Sequence, residues 1–257
     1  MSPPKRLLTL RFADETSPVN KVLDDTVNAL TTAGATVVPV YESIYKSSAI
    51  SSTFDVQRFE YRQEMDTYLS RPSLHGVHPS NLAQLYSSAK FLVIPSEYSY
   101  VNTALVSSTN NVTYAPVKLG IQNLTTALES TFKTNALDAL IYPEQANLVV
   151  KIGSASQSGR NGILAALTGF PVVTVPAGFS SSSSDAPLGV PIGMEILGMP
   201  WTESKLLSIA KMIAEVKRVR RRPSSTEKAV EAQSFQAVPV ITPDTANVPK
   251  AYPVGVL

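Results

Sequence analysis

The stretch from Ala136 to Trp201 limits what this 257-residue chain can fold into more than any other. Two apolar runs rich in β-branched residues, Pro171 to Pro176 and Val190 to Leu197, flank a Gly- and Ser-rich connection. Val, Ile and Thr are stiff at χ1 and fit the pleated strand, so both runs read as strands. The Ser180 to Ser184 run is a low-complexity linker between them. Asn161 to Thr168 reads as a short helix closed by Gly169, because glycine takes the left-handed cap conformation at little cost. Leu137 to Tyr142 is an apolar strand ending in Pro143. The remaining helices and strands are expected to pack around this unit.

The front of the chain reads as strand, helix, strand. Arg6 to Phe12 is the first strand. Ser17-Pro18 starts a helix, with Ser17 able to cap free N–H groups and Pro18 preset for the first helical position. Val19, Val22, Leu23, Val27 and Leu30 then fall on one face. Gly34 ends the helix and Ala35 to Val40 is a second strand, which argues for parallel pairing through a right-handed crossover. No Gly-x-Gly-x-x-Gly follows the first strand, which disfavours a dinucleotide site.

Phe54 to Leu69 reads as a long helix that buries Phe54, Phe59, Met65 and Leu69 and stops at Arg71-Pro72. His78-Pro79-Ser80 leads into a helix reaching Lys90. Tyr98, Tyr100 and Tyr114 stand among Ser, Thr and Asn, where they could line a pocket but better suit packing on a half-buried helix. Thr125 to Thr134 continues as helix. After Trp201, Thr202 can cap a helix whose core face carries Leu206, Leu207, Ile209, Ala210, Ile213 and Ala214. The basic run Lys217 to Arg222, halted by Pro223, suits the last turn of that helix better than a nucleic-acid patch. Residues 1–222 are expected to form one partial domain, and 223–257 an extended or disordered tail.

Composition removes several function classes. There is no cysteine, hence no Cys nucleophile, thiolate metal site or disulfide. The two histidines, His75 and His78, lack further ligands nearby, so a capping or surface role suits them better than a metal site. A net charge of +2 is too small to imply nucleic acid or an anionic membrane as partner. No apolar run reaches transmembrane length, and the run Leu7 to Phe12 is too short for a signal peptide. With the compartment open, cytoplasmic is the default. Asn111 and Asn123 stand in acceptor triplets of the kind that arise often by chance.

Several pieces resemble the C-terminal part of the amidase signature family, and within it the fungal amidases. They are Asp138-Ala139-Leu140-Ile141-Tyr142-Pro143, Arg160-Asn161-Gly162, and Leu167 to Phe179 with its Gly-Phe-Pro and Val-Pro-Ala-Gly-Phe. Gly189-Val190-Pro191-Ile192-Gly193-Met194-Glu195-Ile196-Leu197-Gly198 and Pro200-Trp201 complete the set. The likeness runs in order from Lys5 to about Ile213. It implies an α/β fold with a mixed, largely parallel sheet flanked by helices, the later portion of the amidase signature fold.

The family hydrolyses carboxylic amides with a serine nucleophile, a second serine, a lysine relay and glycine-rich backbone donors, without metal or cofactor. By resemblance that set lies ahead of the region equivalent to Lys5. Neither Lys46 to Ser52 nor Lys151 to Gly159 replaces it, so no catalytic residue is assigned in this chain. The resemblance places Gln157, Arg160 and Asn161 near the acyl side of the substrate, as substrate-binding residues. A structural account stands beside it, with Asn161 capping the helix and Arg160 in a local ion pair. The expected partner is a small-molecule amide if a catalytic half is supplied. Uncovered sheet or helix faces would favour self-association. Two functions remain open: a partial amidase-family hydrolase, inactive as this chain alone, and a catalytically dead binding or assembly protein that keeps the pocket wall.

Overall fold

A computed structural model describes residues 6–10, 17–40, 43–88, 98–151, 154, 157 and 159–221. These fall into two compact units, one of residues 6–54 and 118–221 and one of residues 55–117. The tail 223–257 and the helix end at Lys90 lie outside the described residues.

The first unit is a five-stranded sheet in the order β2-β1-β3-β5-β4. Its strands are β1 (Arg6–Leu10), β2 (Thr36–Val40), β3 (Ala139–Pro143), β4 (Val172–Phe179) and β5 (Pro191–Leu197). Helix α1 (Ser17–Thr32) joins β1 to β2, and the pair is parallel as expected. β1 also pairs β3 in parallel, while β3–β5 and β4–β5 are antiparallel. The sheet is therefore mixed, but the expectation of a largely parallel sheet does not hold. The reason is local: β4 and β5 are joined by a short surface connection with no room for a crossover helix, so they close as a hairpin.

Pleating sends alternate residues of β3 and β5 to two separate cores. Ala139, Ile141, Met194 and Ile196 pack with Val175, Ala177 and Ile192 against α1 and α8 (Glu203–Val216). Leu140, Tyr142 and Leu197 pack on the other face. They meet Ile50 of α2 (Ser47–Thr53), Leu124, Leu128 and Phe132 of α6 (Tyr114–Thr134), and Leu164 of α7 (Ile163–Thr168). Burial on both faces explains why β3 is apolar throughout.

Several boundaries differ from the sequence reading. β4 runs three residues past Pro176 because its register breaks between Pro176 and Gly178, which accommodates the missing proline N–H. The helix expected over Phe54 to Leu69 starts later: Phe54 is the C-cap of α2, and α3 covers Gln57–Leu69. Thr202 holds the N-cap position of α8, but its hydroxyl donates to the Met199 carbonyl instead of capping. α8 ends at Val216, so the basic run from Lys217 to Arg221 lies beyond the helix and not in its last turn.

The second unit is helical. It holds α3, α4 (Leu82–Ser87), α5 (Tyr98–Leu105) and the first residues of α6. Asn81 caps α4 by accepting from the Gln84 N–H. Leu82, Tyr86 and Leu105 form its small core, and Phe59 packs on Tyr114 at 5.6 Å.

Candidate functional site

The polar centre of the first unit forms where β3 ends. Pro143 closes the strand, and Gly159 to Asn161 return beside Glu144 to Ala146. Two hydrogen bonds close the loop as an antiparallel bridge between Gln145 and Arg160: Ala146 N–H to the Gly159 carbonyl at 2.7 Å, and Asn161 N–H to the Glu144 carbonyl at 2.9 Å.

Asn161 fixes this corner. Its side chain is fully buried, so each polar atom needs a partner. Nδ2 donates to the Pro143 carbonyl at 2.9 Å, and Oδ1 accepts from the Ser47 hydroxyl at 3.0 Å. Ser47 opens α2 and is itself buried, so one amide ties the end of β3 to the start of α2. Asn161 does not cap α7, whose N-cap position is Gly162 and whose end is Gly169 in the left-handed conformation, φ 72°.

Two carboxyl groups meet beneath Gly162. Glu195 stands in the middle of β5, opposite Tyr142 of β3 and Thr174 of β4, and is 7% exposed. Glu144 follows β3 and is half-buried. A Cβ added at Gly162 would lie 3.1 and 3.2 Å from the Glu144 oxygens and 3.2 Å from Glu195 Oε1. Only glycine lets the start of α7 approach the pair this closely.

Burial first, then the hydrogen bond and charge of Glu195, push the Glu144 carboxyl up to about 8, with Arg160 opposing them. Glu144 therefore keeps its proton at neutral pH and donates it to Glu195. Burial and the same Glu195 carboxylate raise the Tyr142 hydroxyl well above its ordinary value, so it too stays protonated. Glu144 Oε2 and Glu195 Oε2 are buried without a hydrogen-bond partner among the described residues.

Of the three residues the sequence singled out, two have their side chains taken up locally. Gln157 braces the loop, accepting from the Val150 N–H at 2.9 Å and donating to the Leu148 carbonyl at 3.4 Å. Asn161 is the buried tie. Arg160 is exposed, and its guanidinium acts on Glu144. The carboxyl pair went unnoticed in the sequence reading, although a glutamate inside the apolar run Pro191–Leu197 is a visible signal, since buried charge needs a partner.

This corner can hold a proton and present a guanidinium, but none of its groups among the described residues is an activated nucleophile. Among the described residues a lysine–hydroxyl pair lies elsewhere: Lys217 Nζ donates to Thr26 Oγ1 at 2.6 Å and to the Val22 carbonyl at 3.3 Å. Burial lowers the Lys217 ammonium, yet Thr26 is 1% exposed and its hydroxyl donates to the Val22 carbonyl, so no substrate reaches it. Among the described residues no group of three or more His, Cys, Asp or Glu converges as a metal site, and no helix is long and apolar enough to cross a membrane.

Comparison with known proteins follows the same lines. No family model matches the chain. It is 29% identical over 234 residues to a mandelamide hydrolase of Pseudomonas putida, a match covering 86% of this chain and 45% of that protein. The peptide amidase of Stenotrophomonas maltophilia superposes with a TM-score of 0.66 at 22% identity, over 86% of this chain and 44% of that one. A bacterial aryl acylamidase of the amidase signature family superposes at 0.58 and 16% identity, over 90% of this chain and 46% of that one. These homologues and structural neighbours are amidase signature enzymes, and the mixed α/β fold matches theirs. The chain spans less than half the length of each.

Proposed function

We propose that this chain is the later portion of an amidase signature hydrolase of the fungal type, and that it does not hydrolyse amides alone. The observation that carries the reading is the match to mandelamide hydrolase, which takes in 86% of this chain but 45% of the relative. In the family reaction water adds to the amide carbonyl and the C–N bond breaks, leaving an acid and ammonia or an amine. The serine and lysine set that drives it belongs, on this reading, to polypeptide that this chain does not supply.

The chain's share is a wall of the substrate pocket on the acyl side. Arg160 is the exposed group there, suited to a carbonyl or carboxylate of a small-molecule amide. Asn161 and Gln157 act on substrate through the wall they brace. No nucleic acid or membrane enters this account. When the chain is alone, sheet and helix faces that the rest of the fold would cover favour self-association.

The intact mass of the protein isolated from its source tests the proposal. A product far heavier than 27.6 kDa that releases ammonia from amides is the expected result. A native product of 27.6 kDa without hydrolysis would favour a binding or assembly protein that keeps the amidase wall.

A further inference from the structure

A second site lies at the loop end of the β4–β5 hairpin, on residues other than Glu144 and Glu195. A cavity of about 310 Å³ opens there. Its apolar surface comes from Pro176 and Phe179 of β4 and Pro191 of β5. Arg220 and Arg221, from the segment that follows α8, complete it. Arg221 lies over the Phe179 ring, its guanidinium carbon 4.5 Å from the centroid. Stacking of this kind orients the guanidinium plane while leaving its edge N–H donors unspent.

Charge is unbalanced in this cavity. No carboxylate lines it. Lys21, Lys133, Lys151, Lys205 and Lys211 of the same unit each meet a carboxylate. Neither Arg220 nor Arg221 has an ion pair among the described residues. We infer that this cavity binds a small carboxylate with an apolar body, its charge on Arg220 and Arg221 and its body on Phe179, Pro176 and Pro191.

The lining decides among anions. Guanidinium groups match a carboxylate through paired N–H donors. Pro176 and Pro191 carry no N–H, and the apolar surface they form with Phe179 has no counterpart on a phosphate but suits the body of a carboxylic acid. The volume is near the lower limit of ligand pockets, which suits a single ring and not a long chain. The inference concerns residues 174–221 only and is independent of whether the chain takes part in amide hydrolysis.

The test uses the full chain and two ligands of one shape, phenylacetate and its neutral amide phenylacetamide, followed by amide-proton NMR. Phenylacetate is expected to shift Phe179, Arg220 and Arg221 saturably, with a Kd on the order of 1 mM. Phenylacetamide should bind about tenfold more weakly or less. The double variant R220Q/R221Q should lose the acid, and its melting curve should move only slightly, by the lost stack on Phe179, because both side chains are exposed. Pro191→Asp, at an exposed lining position beside Phe179, brings a carboxylate into the cavity and should weaken phenylacetate about tenfold without touching either arginine. Equal binding of acid and amide, full binding in both variants, or no saturable shift by about 10 mM would each overturn the inference.

Discussion

Met194 and Ile196 point to one face of β5 and Glu195, between them, points to the other, and all three are buried. The first face is closed by area alone: both side chains are fully buried among Leu7, Val175 and the residues of α1 and α8. The second face also packs Leu197 in an apolar core, but it carries in addition a proton held between Glu144 and Glu195 and the Asn161 tie. Packing is indifferent to pH, whereas a buried carboxyl pair holds only while one member stays neutral. Two faces of one strand thus rest on different physics.

The largest effect should come from the apolar face. Ile196→Ala is expected to cost about 2–5 kcal/mol in urea unfolding, from lost transfer energy plus the cavity left in a face with little freedom to collapse. A cost under about 1 kcal/mol would mean that this face is not the close-packed one.

On the polar face, Asn161→Leu strands the Ser47 hydroxyl and the Pro143 carbonyl and should cost about 1–3 kcal/mol. The loss should appear locally, as faster amide exchange in α2 and α7 than in β3. Uniform loss of protection would instead make Asn161 an ordinary core residue.

Glu195→Gln separates the two faces by pH. In the native protein Glu144 holds its proton up to about 8, whereas the unfolded chain releases it near 4.5. The native state binds more protons in that window, so stability falls as pH rises from about 4.5 and levels off above about 8. A glutamine at 195 removes the like charge and offers an N–H to Glu144, so the fall should be shorter and the variant more stable at pH 8. The gain should be on the order of 1 kcal/mol, given how much of Glu144 solvent reaches. The fall should not vanish, because burial, the largest cause, remains. Identical pH profiles for variant and parent would remove the shared proton from the account.

The smallest effect belongs to Arg160→Ala. Stability should change by less than about 0.5 kcal/mol, as for other exposed charges. The Glu144 carboxyl carbon, followed by NMR, should titrate higher than in the parent, since Arg160 is the group that lowers it. An unmoved titration would place the guanidinium too far away to matter.

How much of this was legible in the sequence follows from the same contrast. β1, α1, β2, β3 and β5 were readable because apolar periodicity and Gly or Pro punctuation fix such elements locally. Strand direction was not readable in full, since nothing in the runs around β4 and β5 says that β5 inserts between β3 and β4. The end of β4 was placed too early because a register break past Pro176 leaves no mark in composition. At the site, Arg160-Asn161-Gly162 was singled out, and the structure brings it to the end of β3. What Asn161 does there depends on Ser47, 114 residues away, and the Glu144–Glu195 pair depends on a cross-strand neighbour. Pairings of that range are set by topology, and spacing along the chain carries no trace of them.

The most direct test of the central claim, that this chain carries an amidase fold without its nucleophile, is ammonia release by the purified 257-residue chain from mandelamide and related primary amides. The account predicts release no faster than buffer alone. Sustained release that follows the chain through a second purification would place a working nucleophile within these residues and contradict it.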